Sequence, residues 1–312
     1  MGAVDDTFGA FLIGVVISAT LYGVTFVQTW YYFSRYSSDP WYMKLLVGAI
    51  LLSDTVHQAL ITHTVYTYLI TDFDIPANLG KLVWSLSVEV LFNGFTGLLV
   101  QSFLTARVYR LSNKSIIATA TVLSLVIAEF VIIVVYVAKA VRLTTFVEVP
   151  QLKPLSMCVN AVAAAGDVLI AGFLCVLLQR ARTGFRRSDT MINKLILFTI
   201  NTGLLTSICA VMSLISITMW PNSYIYMAFY FCLGRLYCNC LLATLNARKG
   251  LRRESQDEHM GLSLRGVQKS ADSPIGPLRR GMPNDISIKI DTTRDYVEDE
   301  YSPARDKCAQ SV

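Results

Sequence analysis

The sequence predicts an all-α polytopic membrane protein: a seven-transmembrane-helix bundle with its N-terminus outside and a disordered cytoplasmic C-terminal tail. Three observations predict this class. Hydrophobic residues make up 54% of the 312 residues and charged residues only 16%, whereas about a quarter of a soluble domain is charged. The charged residues crowd into short segments and into the end of the chain, which leaves long apolar stretches between them. Lys and Arg are also divided unequally between the two ends of these stretches.

Seven apolar segments are long enough to span a bilayer, which requires about 20 predominantly apolar residues. Together they form a predicted transmembrane domain over residues 1–248. The first segment lacks the basic residues that precede the apolar region of a cleavable signal peptide, so it is predicted to be the first membrane helix. The predicted helices cover residues 8–33, 43–66, 82–104, 115–138, 155–178, 191–218 and 223–246.

The orientation follows from the basic residues, because Lys and Arg accumulate in the cytoplasmic loops of membrane proteins. With the N-terminus outside, fourteen basic residues are inside and four are outside, so this orientation is predicted. Since the basic residues adjoin membrane helices, the net charge of +5 does not indicate nucleic-acid binding. The inner residues are Arg35, Lys44, Arg107, Arg110, Lys114, Arg180, Arg182, Arg186, Arg187, Lys194, Arg248, Lys249, Arg252 and Arg253, and the outer ones are Lys81, Lys139, Arg142 and Lys153.

The composition changes at the end of the last apolar segment. Residues 249–312 are rich in charged residues, Ser, Pro and Gly, and contain too few apolar residues to form a core. We therefore predict a disordered cytoplasmic tail, which is a possible binding segment for a cytoplasmic partner.

Four strings within the predicted helices and their boundaries carry a resemblance to a known family. They are DTVHQALITHTVYTYLITDF at 54–73, QSFLTARVYRLS at 101–112, FRRSDTMINKLILFTINTGLLTSICAVMSLI at 185–215 and LATLNAR at 242–248. The chain resembles, over about residues 10–250, basidiomycete fungal membrane proteins that carry an uncharacterised domain, domain of unknown function 6534. The resemblance implies a seven-helix membrane protein of fungal origin and implies no activity.

Polar and charged side chains inside the predicted helices are the candidate functional residues. A charge at the bilayer centre costs at least about 2.5–3.5 kcal/mol, so such residues tend to face the bundle interior and to have a function. The alternative interpretation is a set of structural interhelical hydrogen bonds, each worth about 0.6 kcal/mol. The predicted intramembrane polar core consists of Asp54, His57, Gln58, Glu89, Asn93, Glu129, Asp167, Arg235 and Asn239.

Arg235 is expected to pair with a carboxylate at its own depth, because a guanidinium does not lose its proton even in the membrane. Asp54 and Asp167 both satisfy this condition, as each lies about 18 Å from the outer boundary at 1.5 Å per residue. We predict the pair with Asp54, since helix 7 of a closed bundle lies beside helices 1 and 2.

Three functions are compatible with these features. The first is a receptor-like or sensory protein with a polar intramembrane cavity for a small-molecule or lipid ligand, although the chain lacks the Asp-Arg-Tyr and Asn-Pro-x-x-Tyr motifs of rhodopsin-type receptors. The second is a small-solute, ion or proton transporter. The third, an intramembrane metal-dependent hydrolase, is disfavoured because the chain has only three histidines and no metal-ligand motif. We expect no metal, no cofactor and no catalytic residues, in a multi-pass protein of the plasma membrane or an endomembrane.

Overall fold

The computed structural model describes residues 9–73, 75–182, 186–220 and 223–271. The chain divides into two compact units, Met1–Arg265 and Gly266–Val312, and all seven long helices begin in the first. They are α1 (Ala10–Arg35), α2 (Trp41–Tyr66), α3 (Trp84–Leu111), α4 (Ile116–Ala140), α5 (Lys153–Arg180), α6 (Arg186–Met219) and α7 (Ile225–Ala271). Each contains a segment long and apolar enough to cross a membrane. The predicted all-α architecture, with seven helices long and apolar enough to span a membrane, is confirmed.

Short elements connect or extend these helices. A π-helical turn, Thr67–Thr71, continues α2, and a 3-10 helix, Phe146–Leu152, leads into α5. Proline residues mark two helix starts: Pro40 has extended backbone immediately before α2, and Pro154 lies in the first turn of α5. Proline suits the start of a helix because the first amides there have no acceptor within the helix, so the missing N–H costs no hydrogen bond.

Two helices extend well beyond the C-terminal ends of their predicted spans. The third ends at Leu111 rather than at 104, and the seventh continues to Ala271 rather than ending at 246. The segment 249–271, expected to belong to the tail, is helical because it contains many Leu, Arg, Glu and Gln residues and no proline. Residues 272–312, where disorder was also predicted, lie outside the described residues.

The last helix packs against most of the others. Contacts from α7 reach α1 through Gly14 and Ala228, α3 through Asn93 and Tyr230, and α6 through Cys209, whose thiol donates to the Phe229 oxygen. The remaining neighbours are sequential, α1 with α2, α2 with α3, α3 with α4, α4 with α5 and α5 with α6, together with α3 and α5. This position makes α7 the element to which polar groups from several helices can converge.

The two ends of the helices are called upper, where α1 begins, and lower, where α1 ends. At the upper end four aromatic rings contact one another, with centroid separations of 5.5 Å for Phe11 and Tyr224, 5.0 Å for Phe146 and Tyr224, and 5.6 Å for Tyr68 and Phe146. The Tyr68 hydroxyl also donates to the Lys81 oxygen and accepts from the Val83 amide, both over 2.9 Å. These contacts fix the upper loops over the helices.

Candidate functional site

Arg235 of α7 lies at the centre of a polar cluster and is completely buried. Its guanidinium forms the predicted ion pair with Asp54 of α2. It also donates to the Asp54 backbone oxygen over 2.7 Å, to Gln58 Oε1 over 3.1 Å and to Ser18 Oγ over 3.0 Å. With His57 as a further acceptor, all five N–H donors of the guanidinium have partners. The Arg235 cluster comprises Ser18, Asp54, His57, Gln58, Glu89 and Arg235.

His57 connects Arg235 to Glu89 of α3. Arg235 Nη2 lies 2.9 Å from His57 Nδ1, and His57 Nε2 lies 2.8 Å from Glu89 Oε2. A guanidinium can only donate, so Nδ1 must be the acceptor and Nε2 must carry the proton. In this arrangement His57 is neutral and donates to the Glu89 carboxyl group.

The charge of the cluster then depends on Glu89. Asp54 balances Arg235, and the neutral His57 contributes no charge. Among the described residues, no lysine or arginine forms an ion pair with Glu89, whose side chain is 2% exposed. An ionised Glu89 therefore leaves one unbalanced negative charge in the bundle, and a proton or a bound cation removes it.

Glu89 also lines a cavity between α3, α4, α5 and α7. The cavity has a volume of about 50 Å³, enough for a few water molecules. Tyr136 of α4 and Tyr226 and Tyr230 of α7 line it together with Glu89, and the rest of the wall is mainly apolar. The wall of this Glu89 cavity therefore contains one carboxyl group and three tyrosine side chains.

A second polar cluster holds the other two buried carboxyl groups. Gln101 of α3 donates to Glu129 Oε2 of α4 over 3.1 Å and to Asp167 Oδ1 of α5 over 3.4 Å. The Tyr237 hydroxyl of α7 donates to Asp167 Oδ2 over 2.8 Å. No ion pair to either acid is present within the described residues, so this Asp167 cluster consists of two carboxyl groups and neutral donors.

Of the predicted polar core, Asn93 and Asn239 belong to neither cluster. Asn93 Nδ2 donates to the Tyr230 oxygen over 3.1 Å, and Asn239 Nδ2 donates to the oxygens of Leu21 and Arg235, each over 3.0 Å. Asn93 thus joins α3 to the backbone of α7, and Asn239 joins α7 to the backbone of α1. These contacts are interhelical hydrogen bonds, as the structural interpretation predicts.

Sequence reasoning missed Ser18 and Gln101 as members of the two clusters. Ser18 is a single small polar residue in an apolar helix, and nothing in its spacing indicates a partner. Gln101 lies three residues before the predicted end of the third helix, where a polar residue is ordinary. The helix in fact continues to Leu111, which places Gln101 in the bundle, about 120° around α3 from Glu89.

The ligands that a metal-dependent hydrolase requires do not converge in the described part of the chain, where no group of three or more His, Cys, Asp or Glu side chains could hold a metal ion. His57 has both ring nitrogens engaged, by Arg235 and by Glu89. His63 lies on another face of α2, where its Nδ1 is 2.9 Å from Ser85 Oγ.

Seven apolar helices that enclose buried, hydrogen-bonded charges define an integral, multi-pass helical membrane protein. Residues 163–250 match the model of a family described as Family of unknown function (DUF6534). This match covers most of α5, from residue 163, all of α6 and α7 as far as Gly250, and so includes Asp167 and Arg235. No curated protein matches the sequence. The fungal origin implied by the resemblance stays a prediction.

Proposed function

We propose that this chain is a receptor-like or sensory membrane protein that binds a small ligand with a cationic group in the Glu89 cavity. In this proposal the protein lies in the plasma membrane or an endomembrane, with its upper end outside. Its tail lies in the cytoplasm, where it is available to a partner.

One observation carries the proposal: a hydrogen-bonded chain runs from the cavity wall to Arg235 of α7. It passes from Glu89 through His57 to Arg235. The same helix forms part of the cavity wall through Tyr226 and Tyr230. A ligand that changes the charge or position of Glu89 therefore acts on α7 both directly and through His57.

The lining of the cavity indicates the class of ligand. A cation would balance the ionised Glu89, and tyrosine faces attract organic cations through their π electrons. The volume of about 50 Å³ is well below the roughly 300–1,000 Å³ of typical ligand pockets, so a ligand of ordinary size requires the surrounding helices to separate. Ligand binding would then favour the displaced arrangement of the helices, and a receptor depends on this coupling between binding and conformation.

The test compares ligand-induced stabilisation of three full-length proteins in detergent: wild type, Glu89→Gln and Glu129→Gln. Benzylamine and choline serve as cationic probes, and benzyl alcohol serves as an uncharged probe. We expect both cations to raise the melting temperature of the wild type and of Glu129→Gln, because a ligand at about 100 times its Kd stabilises the folded state by about 2.7 kcal/mol. Glu89→Gln should show no shift. Equal shifts in all three proteins, or no shift of the wild type with either cation, would refute the proposed site.

A proton or ion transporter is the second candidate, and the positions of the carboxyl groups favour it. Below the Glu89 cavity, Asp167 lines a smaller cavity of about 40 Å³. Arg107 lines this smaller cavity and also a crevice at the lower end. Ionisable side chains thus occur at successive levels between the two ends of the bundle.

Flux measurements separate the two candidates. The full-length protein is reconstituted into liposomes that contain a pH-sensitive dye, and a membrane potential is imposed with potassium and valinomycin. A transporter gives protein-dependent acidification that Asp167→Asn removes, because the amide cannot release a proton. A receptor gives the same rate as empty liposomes, whatever stands at position 167.

A further inference from the structure

A large crevice lies at the lower end, between α2, α3 and α7. Its volume is about 540 Å³, roughly ten times that of the Glu89 cavity. Most of its wall is apolar, and three guanidinium groups also line it. The apolar part of the wall includes Leu46, Leu99 and Phe103, and the guanidinium groups belong to Arg107, Arg110 and Arg248.

The three arginines of this arginine crevice differ in their partners. Arg248 forms an ion pair with Asp39 over 2.6 Å, and its guanidinium lies 4.8 Å from the centre of the Tyr36 ring. Arg107 and Arg110 form no ion pair with any carboxylate of the described residues. They are three residues apart on α3 and therefore lie on one face of it. The crevice thus has an excess of positive charge on α3.

We infer that the arginine crevice binds the headgroup of an anionic phospholipid, with the phosphate between Arg107 and Arg110. Guanidinium groups bind phosphate through paired, charge-assisted hydrogen bonds. The apolar side chains of Leu46, Leu99 and Phe103 provide a surface for the start of an acyl chain, which a free phosphate ion does not need.

The position of the crevice agrees with a lipid as the occupant. Tyr42 lines it, and the neighbouring Trp41 is 75% exposed, as is common for aromatic residues at the level of lipid headgroups. In the predicted orientation the lower end faces the cytoplasm, and anionic phospholipids are concentrated in the cytoplasmic leaflet.

The experiment measures melting temperatures of the full-length protein in an uncharged detergent during titration with dihexanoyl phosphatidylserine, dihexanoyl phosphatidylcholine or inorganic phosphate. We expect phosphatidylserine to stabilise the wild type at concentrations where the other two compounds have no effect. Arg107→Gln and Arg110→Gln should each weaken the apparent affinity about tenfold, since a hydrogen bond to a charged group contributes at least about 1.5 kcal/mol. Arg180→Gln, which removes an exposed arginine from the lower end of α5, is the matched control and should keep wild-type affinity.

Each other outcome contradicts the inference. Equal stabilisation by phosphatidylcholine would show that the negative charge is not recognised, and equal stabilisation by inorganic phosphate would make a free anion the ligand. Equal weakening in Arg180→Gln would reduce the effect to general surface charge. If the α3 variants do not fold, native mass spectrometry of the wild type decides: preferential retention of phosphatidylserine over phosphatidylcholine is expected, and equal retention refutes the site.

Discussion

At the scale of single residues, Arg235 determines the state of its neighbours. Because it donates to His57 Nδ1, it fixes the tautomer of that ring and directs the remaining N–H toward Glu89. Since Asp54 neutralises it, the charge of the cluster is left to Glu89. The pair with Asp54 is predictable from equal depth in the membrane. The contact with Ser18 is not, because it depends on how α1 and α7 are rotated about their axes, which the apolar sequence of α1 does not indicate.

A double-mutant cycle tests the buried pair. We expect Arg235→Leu to lower the stability in detergent by about 3–5 kcal/mol, because it leaves the Asp54 carboxylate buried without its cation. Asp54→Leu should also destabilise the protein, but the double variant should lose less than the sum of the two, with a coupling of at least about 1 kcal/mol. Thermal unfolding followed by circular dichroism gives the four stabilities.

The control cycle combines Arg235→Leu with Asp167→Leu. Asp167 lies at a similar predicted depth, but its carboxyl group is held by Tyr237 and Gln101. The two losses should therefore add. Additive losses for Arg235 and Asp54, together with coupled losses for Arg235 and Asp167, would assign the arginine to the wrong acid.

The ion pair at the lower end has a different dependence on solution conditions. Burial raises the pKa of Asp39, but hydrogen bonds from Arg248 and Tyr32 and the charges of Arg248 and Lys44 outweigh this effect and hold the pKa below its ordinary value of 3.8. An acid with a depressed pKa in the folded state contributes stability above its unfolded pKa and loses it as the pH falls through the folded pKa.

We therefore expect the melting temperature of the wild type to exceed that of Asp39→Asn at pH 6, by a small margin because the pair is partly exposed. The margin should shrink as the pH falls below 3.8, the ordinary pKa of Asp39. Thermal unfolding of both proteins between about pH 3 and pH 6 measures this. A margin that stays constant or grows toward low pH would show that Asp39 has no depressed pKa.

At the scale of the helices, apolar length and charge predicted all seven spans but not their ends. Spans were recognisable because each contains an 18-residue stretch of high mean hydropathy with no more than two charged residues. The predicted end of α3 at residue 104 is too early, because an arginine such as Arg107 is typical of an inner loop, although a long basic side chain at a helix end can extend toward the membrane surface. Close packing between helices was likewise hidden, since it depends on which face of a uniformly apolar helix meets its neighbour.

Two glycines of α1 make this packing testable. A Cβ atom at Gly14 would lie 2.8 Å from the Cα atom of Ala228 on α7, whereas a Cβ atom at Gly23 would have no neighbour within 4 Å. We expect Gly14→Ala to destabilise the protein by about 1–3 kcal/mol, because a backbone atom cannot move away without shifting a helix. Gly23→Ala is the matched control and should keep or raise the stability, by up to about 1 kcal/mol, because alanine favours the helix more than glycine does. Equal stabilities of the two variants would contradict this close approach of α1 and α7.

At the scale of the whole molecule, the orientation is a prediction from the distribution of basic residues, and a protease on sealed, right-side-out vesicles tests it. The full-length protein carries one epitope at its N-terminus and another after residue 312. We expect proteinase K to remove the N-terminal epitope and to spare the C-terminal one, because the fourteen basic residues predict a cytoplasmic location for the lower end. Detergent permeabilisation is the control and should expose both epitopes. Loss of the C-terminal epitope from intact vesicles, with the N-terminal one retained, would reverse the orientation and place the arginine crevice at the outer surface.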